Sequence, residues 1–280
     1  MADQIPLLAD TDEFTKYGFG DFTFLQRTFV DVWKATEVST SRSVILKCVV
    51  ETDENQAAQQ LLCHEQNVLS LVDGNRFPTR IELDEQCSFR AFAISGMPLL
   101  KRIKTRGPLG LATAIMALRQ CLEMLKQLES AGFSHGSISP DSIWITDGGT
   151  IQIAHLESAT LISEPAAMSA IANDRPNWLA PGCFSGNTSP QEADLFSVGV
   201  LFLEMLGIST KPSDLLPGIA LVRRGEVSEH IAAARLSTEL ADYVDQLLTP
   251  TNDEVNFDAL IRQLIEIELD TMTVRFQVAA

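Results

Sequence analysis

The chain has 280 residues, with 37 acidic against 21 basic side chains and a formal net charge of −16. That balance argues against nucleic acid or an anionic membrane as principal partner, because both are held by basic surface, and it leaves a protein as the expected partner. No apolar stretch approaches the roughly 20 residues of a membrane span, and MADQIPLLADTDEF has neither a basic region nor a long apolar run, so no signal peptide and a cytoplasmic location are expected. The cysteines at 48, 63, 87, 121 and 183 are scattered and odd in number, with no CxxC spacing. They read as reduced thiols, with no metal site.

Residues 1–20 form a polar lead-in. From Asp21, FTFLQRTFVDVWKATEV alternates apolar and polar residues, and SRSVILKCVV is a β-branched run after a polar turn; together they predict a three-strand meander. DENQAAQQLLCHEQNVLSLV has helical spacing, with Leu61, Leu62, Val68, Leu69 and Val72 on one face and an acid, Glu65, among them. FPTRIELDEQ and SFRAFAIS predict a second hairpin. A break at 95–98 leads into LATAIMALRQCLEMLKQL, whose leucines and Ile115 make one apolar stripe ended by Ser-Ala-Gly.

HGSISPDSIWIT (135–146) and the turn DGGT precede a short strand, IQIAHL, and a loop over about 158–180. EADLFSVGVLFLEMLG predicts a buried helix, and ELADYVDQLL and FDALIRQLIEIE two amphipathic ones. The predicted class is therefore α+β: a five-strand antiparallel unit with one helix over 21–96, a mainly helical unit over 97–268, and a tail over 269–280.

Over about residues 20–268 the chain resembles a eukaryotic-type protein kinase domain. SVILK looks like the strand whose lysine holds the ATP α- and β-phosphates, which makes Lys47 that lysine, and Glu65 matches its helix partner. HGSISPDSI looks like the catalytic loop H-R-D-x-x-x-x-N, and HLE at 155–157 stands in the place of D-F-G. WLAPG at 178–182 resembles A-P-E, and Asp194 matches the aspartate that braces the catalytic loop. His135, Leu69, Leu156 and Asp194 fall on positions that pack as a column tying the two lobes to the buried helix. The resemblance thus implies a bilobal fold, with 21–96 and 97–268 as its lobes.

It also implies which reactive groups are missing. Phosphoryl transfer needs metal ions on the phosphates and a carboxylate near the attacking hydroxyl. Ser137 stands at the base position, Ser139 at the loop lysine, Ser142 at the metal-binding asparagine and His155 at the chief metal ligand. Imidazole is a poor substitute where Mg²⁺ prefers hard oxygen. Leu25, Arg27 and Val30 occupy the three glycine positions of the phosphate loop, where side chains block close approach of backbone N–H groups. Ile45 and Trp144 stand above and below the adenine position, so protein is expected to occlude that slot. Gly136 replaces the arginine that reads activation-loop phosphorylation, and the A-P-E glutamate (now Gly182) is lost together with its arginine partner.

The expectation is a catalytically inactive pseudokinase without a cofactor or metal, acting as a protein-binding scaffold or allosteric regulator. The alternatives are an enzyme of altered mechanism, with Glu157 and Asp141 the carboxylates near the cleft, and a small-molecule sensor. Lys47 and Glu65 are open to two readings, a vestigial phosphate clamp or a buried structural ion pair, the second favoured because the phosphate loop is gone. His155 is expected as a core histidine bonded to Glu157, or with Asp147 as an improvised cation site. LLKRIKTR (99–106) is a basic cluster, a solvated face or a docking patch.

Overall fold

The computed structural model describes residues 9–27, 30–49, 55–72, 75–84, 87–164, 178–180, 183, 188–208, 236–249 and 254–278. The meander forms as expected: β1 (Phe19–Arg27), β2 (Val30–Glu37) and β3 (Arg42–Val49) pair antiparallel, with Val32 opposite Lys47 and Lys34 opposite Ile45. Helix α2 (Asn55–Leu69) follows. Then β4 (Thr79–Ile81) and β5 (Phe89–Ala93) complete a five-stranded sheet in the order β1-β2-β3-β5-β4.

One element lies where only a lead-in is expected. Helix α1 (Ala9–Lys16) drops Phe14, fully buried, onto the outer face of the sheet, with Phe22, Trp33 and Phe89 at ring-centroid distances of 5.6, 6.1 and 4.8 Å. The ordered unit thus begins before residue 21. A helix this short has one anchoring side chain and no repeat of apolar positions by which to announce itself.

The second lobe opens with β6 (Met97–Pro98) and α3 (Leu99–Arg106), then α4 (Leu111–Ser130), whose stripe is buried from Ile115 to Leu128. Strands β7 (Phe133–Ser134), β8 (Ile143–Ile145), β9 (Ile151–Ile153) and β10 (Thr160–Leu161) place the loop around 135–142. β8 sits between β6 and β9, while β7 pairs with β10. Helix α5 (Pro190–Met205) is buried along nearly its whole length and starts from a capping box between Ser189 and Glu192, satisfying donors that burial would otherwise strand.

Helices α6 (Thr238–Leu248) and α7 (Phe257–Val278) close the lobe. The second correction concerns α7. It runs to residue 278, so 269–280 is mostly the end of this helix and not a separate tail. Of the expected A-P-E segment, Pro181 and Gly182 lie outside the described residues, as do 165–177 of the loop after the hairpin and 250–253 of the stretch opposite. No helix among the described residues is long and apolar enough to cross a membrane.

Truncating a fully buried phenylalanine costs about 3–5 kcal/mol. Phe14→Ala should therefore lower the unfolding free energy from chemical denaturation by a comparable amount, and the midpoint with it, if α1 is part of the domain. An unchanged midpoint would show α1 to be dispensable.

Candidate functional site

The site lies between the lobes and is built on a lysine with no access to water. Lys47, on β3, is 1 % exposed. An ammonium so placed is tolerated only when its three N–H groups are matched by acceptors, ideally charged ones. The fold supplies these from two directions. Both oxygens of Glu65, on α2, lie 2.7 Å from Lys47 Nζ, and Oε2 of Glu157, in the single 3₁₀ turn after β9 (Leu156–Ser158), lies 2.7 Å away as well. All three donors are thereby used.

The two carboxylates are themselves fixed. Glu65 Oε1 also accepts the backbone N–H of Leu156 at 3.2 Å, and Glu157 Oε1 accepts from His155 Nδ1 at 3.2 Å. His155 keeps the left-handed backbone (φ 69°, ψ 50°) that aims residue 157 back at the lysine. Such a conformation is unfavourable for a residue other than glycine by about 1–2 kcal/mol, and the Glu157 bond offsets it. The pairing of His155 with Glu157 is thus realised, while Asp147 is exposed and bonds Arg106 instead.

Burial sets the titration of this cluster. It opposes charge on Lys47, yet Glu157 and Glu65 outweigh it and raise the ammonium's pKa. Burial pushes Glu65 up to about 7, Lys47 opposing and Glu157 adding to the rise. Burial would raise Glu157 too, but Lys47 and His155 overcome it and hold its carboxyl well below the usual range. A charged Lys47–Glu157 pair is the electrostatic centre, with Glu65 the softer partner.

The apolar half of the cleft is filled. Trp144, on β8, and Ile45, on β3, are 0 % and 1 % exposed and pack in one cluster with Val30, Val32, Ala58, Leu62, Ile94, Trp144's neighbour Ala154, and the partly buried Leu25. Of the side chains expected to block the phosphate loop, Leu25 and Val30 therefore point inward. Arg27 does not: its side chain is 48 % exposed and bonds Asp31 at 2.6 Å, so it occludes nothing. Lys34, opposite Ile45 on β2, closes the mouth. Its ammonium donates to the Gly96 carbonyl at 3.3 Å and lies 5.7 Å from the centre of the Trp144 ring.

The loop at 135–142 is held as architecture. Asp194, on α5, accepts the backbone N–H groups of His135 and Gly136 at 2.6 and 2.9 Å. His135 Nε2–H donates to the Ala154 carbonyl and its Nδ1 accepts from Ser137 N–H. Ser142 Oγ accepts from Ser139 N–H at 3.0 Å and donates to the Ser139 carbonyl at 2.9 Å, so its only proton is spent inside the loop. Ser137 Oγ is buried without a hydrogen-bond partner among the described residues. Gly136 takes φ +75°, and a Cβ there would lie 2.4 Å from the Ser158 carbonyl oxygen, which is why no side chain stands at this position. Leu156 is fully buried in the main core, and the partly buried Leu69 packs against that core. Among the described residues no group of three or more His, Cys, Asp or Glu could hold a metal ion.

A protein kinase domain model matches residues 26–254. The chain belongs to the protein kinase family. Its relatives are distant. A probable serine/threonine-protein kinase of Dictyostelium discoideum is 23 % identical over 247 residues, covering 86 % of this chain and 50 % of that protein. Human mitogen-activated protein kinase kinase kinase kinase 3 is 26 % identical over 215 residues, covering 72 % of this chain and 23 % of its own length. The chain thus spans half or less of the kinases it resembles.

Two residues of this site escape the sequence reading in their present role. Glu157 is expected beside His155, not on Lys47; its signal is an acid where the family motif has glycine. Lys34 has no such signal.

Removing one member of a buried ion cluster costs about 3–5 kcal/mol because the others are left uncompensated. Lys47→Met should therefore destabilise the fold by that order in urea titration, whereas Lys47→Met/Glu65→Gln/Glu157→Gln should recover much of the loss. Asp194 offers a second test. Burial lifts its carboxyl to about 7, against the two backbone N–H bonds, from an ordinary 3.8. The folded chain then holds a proton that the unfolded chain releases, and this group's contribution to stability falls as pH rises from about 4 to about 7. Asp194→Asn should flatten that part of the stability–pH curve; an unaltered slope would contradict it.

Proposed function

We propose that this kinase-family domain is a pseudokinase: catalytically inactive, without appreciable ATP binding, and acting as a cytoplasmic protein-binding scaffold or allosteric regulator. The observation that carries this reading is the saturation of Lys47. A phosphate would have to displace Glu65 or Glu157 from an ammonium already bonded three times, and would bring its own negative charge beside two carboxylates. The residues present do not fit an ATP–magnesium complex in other respects. Trp144 and Ile45 fill the slot a purine would need. His155 and Ser142 offer nitrogen and a spent hydroxyl where a magnesium ion prefers carboxylate and amide oxygen.

The relatives are named as kinases; phosphoryl transfer by the kinase mechanism rests on a carboxylate base and metal-binding oxygens that Ser137, Ser139, Ser142 and His155 do not supply. An enzyme of altered mechanism would need a carboxylate free to bind metal or take a proton, and that of Glu157 is committed to Lys47 and His155. With the cleft closed by the chain's own side chains, surface is what remains for function.

Titration calorimetry with ATP, with and without Mg²⁺, tests the reading. No binding heat and no thermal stabilisation are expected. Binding at about micromolar Kd would overturn it, because a ligand present at 100 times its Kd stabilises by about 2.7 kcal/mol.

A further inference from the structure

We propose that Lys34 on β2, together with Lys101 and Lys104 on α3, forms a docking face at the mouth of the filled cleft for a short acidic segment of a protein partner. It rests on the partner-binding reading only in taking the occupant to be a protein.

Helix α3 carries four cations in eight residues and no acid, in a chain of net charge −16. Leu99 is fully buried and Ile103 packs against the main core, so the helix is pinned and its charged side is fixed toward solvent. Two of the cations are spent. Arg106 is bonded to Asp147, and Arg102 donates to the Gly107 carbonyl at 3.0 Å. Lys101 and Lys104 are exposed, lie three residues apart on one side of the helix, and pair with no carboxylate among the described residues.

Lys34 adds a cation that cannot swing away. Gly96 and the Trp144 ring fix its ammonium. Burial and then the neighbouring charge of Lys101 push its pKa down. Two like charges near one another, that of Lys34 partly buried, lack the counter-ion that would relieve both. An anion between Lys34 and Lys101 supplies it.

The size of the face selects the occupant. Eight helical residues span about 12 Å at about 1.5 Å each, the length of roughly four residues of extended peptide at about 3.3 Å each. A duplex or a membrane would extend past this face onto the rest of a chain of net charge −16, whose repulsion acts over a screening length of about 8 Å. A short run of aspartate and glutamate would not.

Fluorescence anisotropy on the full chain tests this with a labelled Gly-Ser peptide carrying four consecutive acidic residues, its Asn/Gln counterpart, and, by co-sedimentation, phosphatidylserine vesicles. The acidic peptide should bind, with affinity falling as salt rises, and the amide peptide should not. The double variant Lys101→Glu/Lys104→Glu should weaken binding about tenfold or more, while Lys16→Glu, an exposed cation on α1, leaves it unchanged. Thermal melting of each variant confirms that it is folded. Equal binding of both peptides, absence of acidic-peptide binding, indifference to the double variant, or vesicle binding in place of peptide binding would each overturn the proposal. None of these outcomes alters the nucleotide calorimetry, so this face and the inactive cleft stand or fall separately.

Discussion

A lysine taken fully out of water governs this structure. Removing an ammonium from solvent is expensive enough that the fold around Lys47 has to deliver its counter-charges accurately. One comes from α2 and one from the turn after β9, so a single side chain ties the sheet, its helix and the second lobe together. Glu157 Oε2 takes up the donor that Glu65 leaves, so the connection between the lobes runs through Lys47 and these two carboxylates.

Other features accompany that connection. Leu25 and Val30, standing where the family's phosphate loop has glycines, pack in one cluster with Ile45 and Trp144. Ser142 closes a local hydrogen-bond circuit with Ser139. The bracing of the loop is kept: Asp194 still holds the N–H groups of His135 and Gly136, and His135 still reaches the Ala154 carbonyl.

The lobes, the strand order and the buried helix were legible because they rest on periodicity and on motif spacing, both local in sequence. Lys47 and Glu65 were legible as a pair for the same reason. Glu157 was not, because its bond to Lys47 spans 110 residues and depends on the left-handed turn at His155, which no pattern reports. Arg27 was misplaced because a motif position fixes where a backbone passes and not where a long side chain goes; Asp31, four residues on, offered it a nearer partner. Helix α1 hid behind a polar sequence whose one buried aromatic does the anchoring. Lys34 was invisible for a related reason: a lysine in an alternating strand reads as the solvent face, and only the fold puts Trp144 beneath it.

The most direct test of the caged lysine is a crystal structure of the chain grown with millimolar ATP and Mg²⁺. Lys47 Nζ should remain within about 3 Å of both Glu65 and Glu157, the distance of a charge-assisted hydrogen bond, with Trp144 buried and the cleft free of nucleotide. A nucleotide seated between the lobes, with Glu157 turned away from Lys47 or Trp144 displaced, would contradict it.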